Sequence, residues 1–513
     1  MNGLADPRGR IALIEAGSPG LNIYSHVAMG RGVPLLATVL RDAGYEVRAY
    51  VEDVGGRDEI DWDFVGMCDV VGFSAITCTL PRSGDLLERA RAVSPRATVV
   101  FGGPEPTCEP MRSLALGADL VLKGEAELTL PRLLDALLHG SEPLADIPGL
   151  AWLEEGVLRE GPPQRQLTRA ELDVLPLVDR SLVHLAERAD VASVWRARGC
   201  PSRCDFCEVC EIWPRYEARS DQLSLDELFA AQQAGYGAAF LIDDNAAANK
   251  PAFMDFLRAA SVRGFAQTLV TQLRADSVFT KDGRIDKEFL RLLKRVSAVT
   301  VVCVGVESAA DESLSRVHKN TDVSTTARAL KAMRRHGLLV HGMFIAFKED
   351  TAEVIRRNGE YARKYVTSLQ YLFETPLPGT KRTAEHEATG SFLFREPRDL
   401  ALYDGMHVVL RPEKMGAAEM QALVDEAYRR FYSTRRIVAA ALRGTFGRFH
   451  RLSEAQRAYL ARLELRQRVK SWAWFHIQYK FAPVGFLAIG RHRIREMMQD
   501  QEYAAYLSRL GSM

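Results

Sequence analysis

The sequence has few of the features that hold secreted or membrane-embedded proteins together. It contains eight cysteines in 513 residues, too few for a disulfide framework. It has no run of 18 apolar residues, so we expect no membrane-spanning helix. The first ten residues, MNGLADPRGR, lack the apolar core of a signal peptide. Together these absences predict a cytoplasmic protein.

The chain also has little net charge, +1 overall, but its charges are unevenly distributed. Residues 429–495 contain 16 Lys or Arg and two acids, a net charge of +14 against −13 for the rest. Aromatic residues, from Phe431 and Tyr432 to Trp474, are interleaved with these charges. Such a segment predicts peripheral contact with anionic lipid, and the alternative is packing on an acidic barrel surface. No nucleic-acid-binding module accompanies it, so we expect no nucleic-acid partner.

Short apolar runs alternate with helical patterns in two parts of the chain. In residues 1–145 the runs RIALIEA, EVRAYVE, VVGFSAI, ATVVFGG and ADLVLKG predict an α/β, doubly wound, Rossmann-like domain. Residues 146–189 are rich in proline and predict a linker with one hairpin, AWLEEGVLRE. In residues 190–390 six strand–helix units predict a partial (β/α)6 barrel. Residues 391–513 have a helical pattern and predict a C-terminal helical domain.

Four of the eight cysteines lie within eleven residues, and three have C-x3-C-x2-C spacing directly after a strand: Cys200, Cys204 and Cys207. Three thiolates on one loop can bind three irons of a [4Fe–4S] cluster and leave the fourth iron open. S-adenosylmethionine (SAM) would chelate that iron, and one electron would release a 5′-deoxyadenosyl radical. The alternative is zinc with Cys210 as fourth ligand, but four ligands on one short loop suit tetrahedral geometry poorly. Cys210 is instead predicted to line a cavity.

This spacing resembles the radical SAM superfamily, and the resemblance continues through FLIDDNAAANK, VGVESAADESL, HGMFIAF and TPLPGT. It covers about residues 190–385. The resemblance implies SAM-binding roles for six residues at three strand ends: Asp243, Asp244, Gln272, Arg274, Glu307 and Ser308. The first pair would contact the methionyl amine, the second the carboxylate, and the third the ribose or carboxylate. His318 and Lys319 follow the fourth strand, and we expect both to be solvated.

The order of a doubly wound domain, a proline-rich linker and a barrel resembles the radical SAM enzymes that bind cobalamin. FSAIT, FGGPEPT and VLKGEAE match the sheet-end motifs of that class. TPLPGT and YDGMHVVLRP resemble its magnesium-protoporphyrin cyclase and hopanoid methylase branch. The resemblance implies cobalamin near four residues of the first domain: Ser74, Thr77, Gly102 and Gly103. The Asp-x-His-x-x-Gly string is missing and His26 has the wrong spacing, so we expect no histidine on cobalt.

The resemblance implies methyl transfer to an unactivated carbon, driven by the 5′-deoxyadenosyl radical. Two alternatives stay open, a radical oxidative cyclisation without methyl transfer and a cobalamin- or SAM-binding sensor without turnover. The intact cysteine triad argues against the sensor, because a sensor needs no open iron. We expect the substrate to be a small molecule or a lipid. Cleavage of SAM needs an electron, so we expect a reductant such as flavodoxin or ferredoxin.

Overall fold

A computed structural model describes residues 8–18, 28–446, 457 and 465–512 of the chain. The strands are β1 Arg10–Glu15, β2 Ala28–Met29, β3 Glu46–Val51, β4 Val70–Ser74, β5 Thr98–Gly102, β6 Leu120–Leu122, β7 Leu150–Glu154, β8 Val157–Glu160, β9 Val191–Val194, β10 Ala197–Arg198, β11 Glu217–Ala218, β12 Ala238–Leu241, β13 Thr268–Leu273, β14 Thr300–Glu307, β15 Leu339–Ala346 and β16 Ser368–Phe373.

The helices of the first half are α1 Gly32–Asp42, α2 Glu52–Gly55, α3 Trp62–Val65, α4 Leu80–Val93, α5 Pro104–Cys108, α6 Pro110–Ala115, α7 Thr129–His139, α8 Arg169–Asp173, α9 Val209–Ile212, α10 Asp221–Gln233 and α11 Lys250–Arg263. Those of the second half are α12 Lys287–Arg295, α13 Asp311–Arg316, α14 Val323–Arg335, α15 Ala352–Tyr365, α16 Lys381–Ala388, α17 Ala417–Phe431, α18 Thr434–Phe446, α19 Leu465–Gln499 and α20 Gln501–Gly511.

The first sheet has the order β3-β1-β4-β5-β6-β7-β8. The first five strands in this order, β3, β1, β4, β5 and β6, are parallel. Their continuous apolar runs predict this arrangement, because helices cover both faces of a parallel sheet. The predicted hairpin forms β7 and β8 and extends this sheet as antiparallel strands. The chain order reverses between β1 and β4, and ligands of such sheets bind at the carboxyl ends of the strands beside this point.

The second sheet has the order β16-β15-β14-β13-β12-β9-β2 and is parallel throughout. Its strands β9 and β12 to β16 are the six predicted from the barrel sequence, so the predicted partial barrel is confirmed. The short strand β2 comes from the N-terminal part of the chain and pairs with β9. The sequence did not predict this strand, because two residues are too few for a periodic pattern.

The helical pattern predicted from residue 391 begins only at Ala417. Residues 391–416 contain Pro397 and Pro412, which disfavour continuous helix, and they form a bridge, a 3-10 turn and irregular backbone. Helix α17 then packs on β16, where the Tyr428 hydroxyl accepts a 2.7 Å hydrogen bond from the Tyr371 amide.

Two aromatic residues of the predicted lipid-contacting segment, Phe431 and Tyr432, are buried in the core at the end of α17, so they are not available to lipid. Trp474 lies among residues whose side chains are outside the described set. Within the described residues, no helix is both long and apolar enough to cross a membrane.

Candidate functional site

Two neighbouring cavities lie where the strand ends of the two sheets meet. The first, here the sheet cavity, has a volume of about 300 Å³ and is lined by the ends of β1, β4 and β5, including Leu13, Phe73 and Ser74. The second, here the central cavity, has a volume of about 510 Å³. It lies between the cysteine loop, the ends of β15 and β16, and residues 403–406. The two cavities share three lining residues: Pro104, Ile212 and Trp213.

The cysteine loop begins with a glycine that no other residue would replace easily. Gly199 has φ +79°, and a Cβ there would collide with the Arg215 carbonyl. Its amide donates a 3.1 Å hydrogen bond to Oδ2 of Asp244, which ties the loop to the end of β12. The loop therefore leaves the strand in one fixed direction just before Cys200.

The three predicted cluster ligands lie on this loop as free, partly exposed thiols. Among the described residues, no three His, Cys, Asp or Glu side chains converge on one metal ion. A [4Fe–4S] cluster does not need ligands that converge on one ion, because each thiolate binds a separate iron. Cys210 uses its thiol within the loop, donating to the Ser202 carbonyl at 3.2 Å. The donor set therefore fits a cluster held by Cys200, Cys204 and Cys207.

The surroundings of these thiols affect their ionisation in the protein without metal. Burial raises the pKa of Cys204, and the nearby cations Lys319 and Arg274 oppose this rise. Burial raises the pKa of Cys207 to about 12. A coordinating metal deprotonates thiols outright, so the raised pKa values describe the protein before metal binding.

The two predicted aspartates at the end of β12 differ in position. Asp243 is buried, and its Oδ1 accepts the amides of Arg196 at 2.6 Å and Ala197 at 3.2 Å. This oxygen holds the chain just before the cysteine loop. Asp244 lines the sheet cavity, and burial raises its pKa to about 6. Of the pair, Asp244 is the one with access to a ligand in that cavity.

The end of β14 contains an ion pair that was not predicted. Glu307 has φ +58° at a β-bulge, and its Oε1 accepts a 2.6 Å hydrogen bond from Nζ of Lys319. Lys319 is buried, so the expectation that it is solvated is wrong. The neighbouring His318 is exposed as expected and pairs with Asp205 at 2.8 Å.

The remaining predicted SAM-binding residues have partners of their own. Arg274 donates to the Lys319 carbonyl at 3.1 Å and lies close enough to Cys204 to affect its pKa. Gln272 is partly exposed on β13 and donates to the Asp243 carbonyl at 3.5 Å. Ser308 is buried, and its hydroxyl donates to Oδ1 of Asn358 at 3.3 Å. Ser308 is therefore bonded into the protein.

Three of the four residues predicted for cobalamin line the sheet cavity: Ser74, Gly102 and Gly103. Gly103 has φ +101°, and a Cβ there would lie 2.7 Å from the Ala75 carbonyl, so the turn itself requires glycine. Thr77 is not among the lining residues, because its hydroxyl donates to the buried Glu105 at 2.5 Å. The mostly apolar lining fits a planar aromatic tail such as that of a cobalamin nucleotide. His26 lies outside the described residues.

Sequence reasoning missed the acidic residues of the central cavity. Glu208, Glu374 and Asp404 all line it. Asp404 lies in the YDGMHVVLRP segment. The available signal was a polar Asp-x-x-His pair in a stretch with little helical pattern.

Two family models match the chain, one in each sheet-containing part. The model of the B12 binding domain matches residues 25–134, and that of the radical SAM superfamily matches residues 196–361. Both matches agree with the predicted order of domains.

Curated relatives are about one quarter identical to this chain. An uncharacterized methyltransferase, PH0819, of Pyrococcus horikoshii is 26% identical, over 71% of this chain and 78% of its own. The anaerobic magnesium-protoporphyrin IX monomethyl ester cyclase of Rubrivivax gelatinosus is 25% identical, over 71% of this chain and 66% of its own. The hopanoid C-3 methylase of Methylococcus capsulatus is 27% identical, over 74% and 72%.

The fold has counterparts among solved structures. The radical S-adenosylmethionine methyltransferase TsrM from Kitasatospora setae, solved with cobalamin and a [4Fe–4S] cluster, superimposes with a TM-score of 0.65. The match covers 96% of this chain and all of that one at 16% identity. At this identity the likeness concerns the fold.

Proposed function

We propose, from the premise that this chain belongs to the radical SAM enzymes with a B12-binding domain, that it is a cobalamin-dependent methyltransferase acting on an unactivated carbon. The main support for this proposal is that two cavities between the domains adjoin and share lining residues. The sheet cavity opens on the B12-binding side, and the central cavity opens on the cysteine loop. A substrate in the central cavity would thus lie within reach of both cofactor sites.

The residues of the chain would bind and orient the reactants. Three thiolates would hold the cluster: Cys200, Cys204 and Cys207. Asp244, Arg274 and Glu307 would bind SAM beside it, because all three surround the loop. Ser74, Gly102 and Gly103 would hold the cobalamin tail. When bound, the cluster and SAM supply a 5′-deoxyadenosyl radical, and cobalamin supplies the methyl group.

The other predicted positions have supporting roles in this proposal. Asp243 would fix the start of the cysteine loop, and Ser308 would fix the end of β14. Gln272 would bind SAM beside Arg274. The electron would come from a reductant such as flavodoxin or ferredoxin, and the loop's partly exposed thiols support access for one.

Anaerobic turnover with SAM and a reductant tests the proposal. A methyltransferase would form 5′-deoxyadenosine together with S-adenosylhomocysteine, which is left each time SAM remethylates the cobalamin. The similarity to the cyclase favours a second candidate, an oxidative cyclase, which would form 5′-deoxyadenosine without S-adenosylhomocysteine. Protein that binds both cofactors but forms neither product would contradict both candidates and indicate a sensor.

We also propose that the protein contacts anionic lipid peripherally, which would suit an apolar substrate. The support is a cluster of arginines beside α18, here the arginine cluster: Arg334, Arg363, Arg436 and Arg443. Burial, followed by the three other guanidiniums, lowers the pKa of Arg436 to about 10. Like charges held this close repel one another, and an anion between them relieves the repulsion.

Flotation with anionic liposomes tests the lipid contact. Wild-type protein is expected to float at low salt and to sink at high salt, because screening weakens surface attraction. The double variant Arg363→Gln/Arg443→Gln should lose flotation, whereas Arg159→Gln/Arg169→Gln, which removes two exposed charges elsewhere, should keep it. Wild-type protein that stays at the bottom at low salt would contradict the proposal.

A further inference from the structure

Two carboxylates that line the central cavity, Asp404 and Glu208, each have one buried oxygen without a hydrogen-bond partner among the described residues. The Asp404 side chain is 7% exposed, and its Oδ1 accepts the Met406 amide at 2.7 Å and the His407 ring at 2.9 Å. Its Oδ2 is buried and has no hydrogen-bond partner among the described residues. A buried carboxylate oxygen without a hydrogen-bond donor costs free energy. A ligand that donates a hydrogen bond to this oxygen would remove that cost.

His407, the partner of Oδ1 of Asp404, is held in place by aromatic packing. The His407 ring packs edge-on against Tyr506, with ring centroids 4.5 Å apart, and also lies beside Tyr503. Both tyrosines belong to α20, the last described helix. His407 is therefore a positioning residue, which keeps Oδ1 of Asp404 occupied and leaves Oδ2 as the oxygen free to accept a donor.

A second carboxylate in the cavity contrasts with Asp404. Glu374 accepts hydrogen bonds at Oε1 from Arg382 at 2.6 Å and from His386 at 3.0 Å. Its Oε2 accepts the Lys348 amide at 3.3 Å. These bonds hold the pKa of Glu374 at about 2 despite its burial. Glu374 thus has its full set of partners within the protein.

The charge of the cavity favours one kind of ligand. Its described lining includes three carboxylates and no Lys, Arg or His. Because Arg382 already pairs with Glu374, the lining carboxylates left without a Lys or Arg partner among the described residues are Asp404 and Glu208. The rest is largely apolar, with Phe206, Trp213 and Leu372 among its members. Such a cavity accepts an apolar body and attracts a positive charge.

We propose that the substrate is an amine, a mostly apolar molecule whose ammonium group is bound by Oδ2 of Asp404. This inference rests on the proposed function, which puts the substrate between the cysteine loop and the B12-binding domain. An ammonium group supplies both the missing donor and the countercharge. A carboxylate-bearing substrate would meet only repulsion there.

Three probes with one aromatic body test the inference by calorimetry on the anaerobic, cofactor-loaded protein. They are 2-phenylethylamine, 2-phenylethanol and 3-phenylpropionate. The amine is expected to bind at least about ten-fold tighter than the other two, as one charged hydrogen bond warrants. In Asp404→Asn the amine should lose about this ten-fold preference and the alcohol should bind as before. The charge-matched control Glu387→Gln, at an exposed position outside the cavity lining, should keep the preference.

Three results would overturn the inference: no amine binding to the wild-type protein, equal binding of amine and alcohol, or amine binding that Asp404→Asn leaves unchanged. The probe comparison on wild-type protein stands even if the variant folds poorly. SAM cleavage by wild-type protein without any probe tests the proposed function separately. Cleavage without amine preference would reject the substrate class alone, and amine preference without cleavage would reject the radical chemistry alone.

Discussion

Arg198, two residues before the first predicted cluster ligand, forms an ion pair with Glu127 of the first sheet's domain. Its other terminal nitrogen pairs with Glu125. All three side chains are largely buried, with Arg198 only 12% exposed. The guanidinium also lies over the Trp195 ring, 4.5 Å from its centroid. The VLKGEAE motif is therefore bonded directly to β10, the strand that leads into the cysteine loop.

Replacing this guanidinium should destabilise the protein strongly. Arg198→Gln leaves Glu125 and Glu127 buried without the cation that pairs with both, which costs about 3–5 kcal/mol of unfolding free energy. Urea denaturation measures the change. The control is Arg165→Gln, because Arg165 pairs with Glu171 at the surface with 64% of its side chain exposed. That pair should contribute less than about 1 kcal/mol, and equal losses in the two variants would contradict the prediction.

The cysteines should separate into ligands and a non-ligand. Cys200→Ala, Cys204→Ala and Cys207→Ala should each abolish the iron–sulfur absorption and SAM cleavage, because each removes the only ligand of one iron. Cys210→Ala should retain both, because its thiol is bonded to the Ser202 carbonyl. Absorption spectra and iron content of anaerobic preparations give the answer. A Cys210→Ala protein without iron would count against this ligand set.

The sequence predicted the features that depend on residues close together in the chain, such as strands and the cysteine group. The strands β4 and β14 are apolar runs, so the sequence alone predicts that they are strands. The cysteines lie within a few residues of one another in the chain, so their proximity in space could also be predicted. Contacts between distant segments were not predictable. The burial of Lys319 depends on the unusual backbone of Glu307, and Thr77 turns to Glu105, 28 residues away. Neither relationship leaves a periodic signal.

The segment around Asp404 shows the same limit. Its residues follow no helix or strand period, and their role arises only when α20 packs against them nearly 100 residues later in the chain. The Val408 amide, for instance, donates to the Tyr506 hydroxyl at 2.7 Å. Sequence reasoning could quote the motif but could not place its carboxylate in a cavity.

Lys319 should tune the reduction potential of the cluster. Lys319→Gln removes a cation that interacts with Cys204 and leaves the charge of Glu307 uncompensated. The local charge becomes more negative, so adding an electron becomes harder and the potential should fall by tens of millivolts. A redox titration followed by electron paramagnetic resonance measures it.

Two further variants show whether charge is the cause. Lys319→Gln/Glu307→Gln removes both members of a neutral pair and should recover much of the potential. Lys331→Gln removes an exposed cation on α14 and should leave the potential unchanged. A potential that falls equally in the single and the double variant would indicate a structural effect.

The pH dependence of stability should reveal Glu15, at the carboxyl end of β1. Burial, with a smaller contribution from the nearby Asp53, raises the pKa of Glu15 to about 7. The folded chain thus favours the protonated carboxyl, whereas the unfolded chain ionises near its ordinary pKa of 4.5. The stability that Glu15 contributes is therefore fully present below the unfolded pKa and is lost as pH rises through about 7.

Glu15→Gln removes this titration, so its effect must change with pH. The variant should gain stability relative to wild type between about pH 5 and about pH 8, by about 2 kcal/mol as an upper range. Urea denaturation at both pH values measures the difference. Glu88→Gln, at an exposed position on α4, is the control and should show no such change. Because desolvation acts only in the folded state, a Glu15→Gln effect that is the same at both pH values would mean that the carboxyl is hydrated in the folded protein.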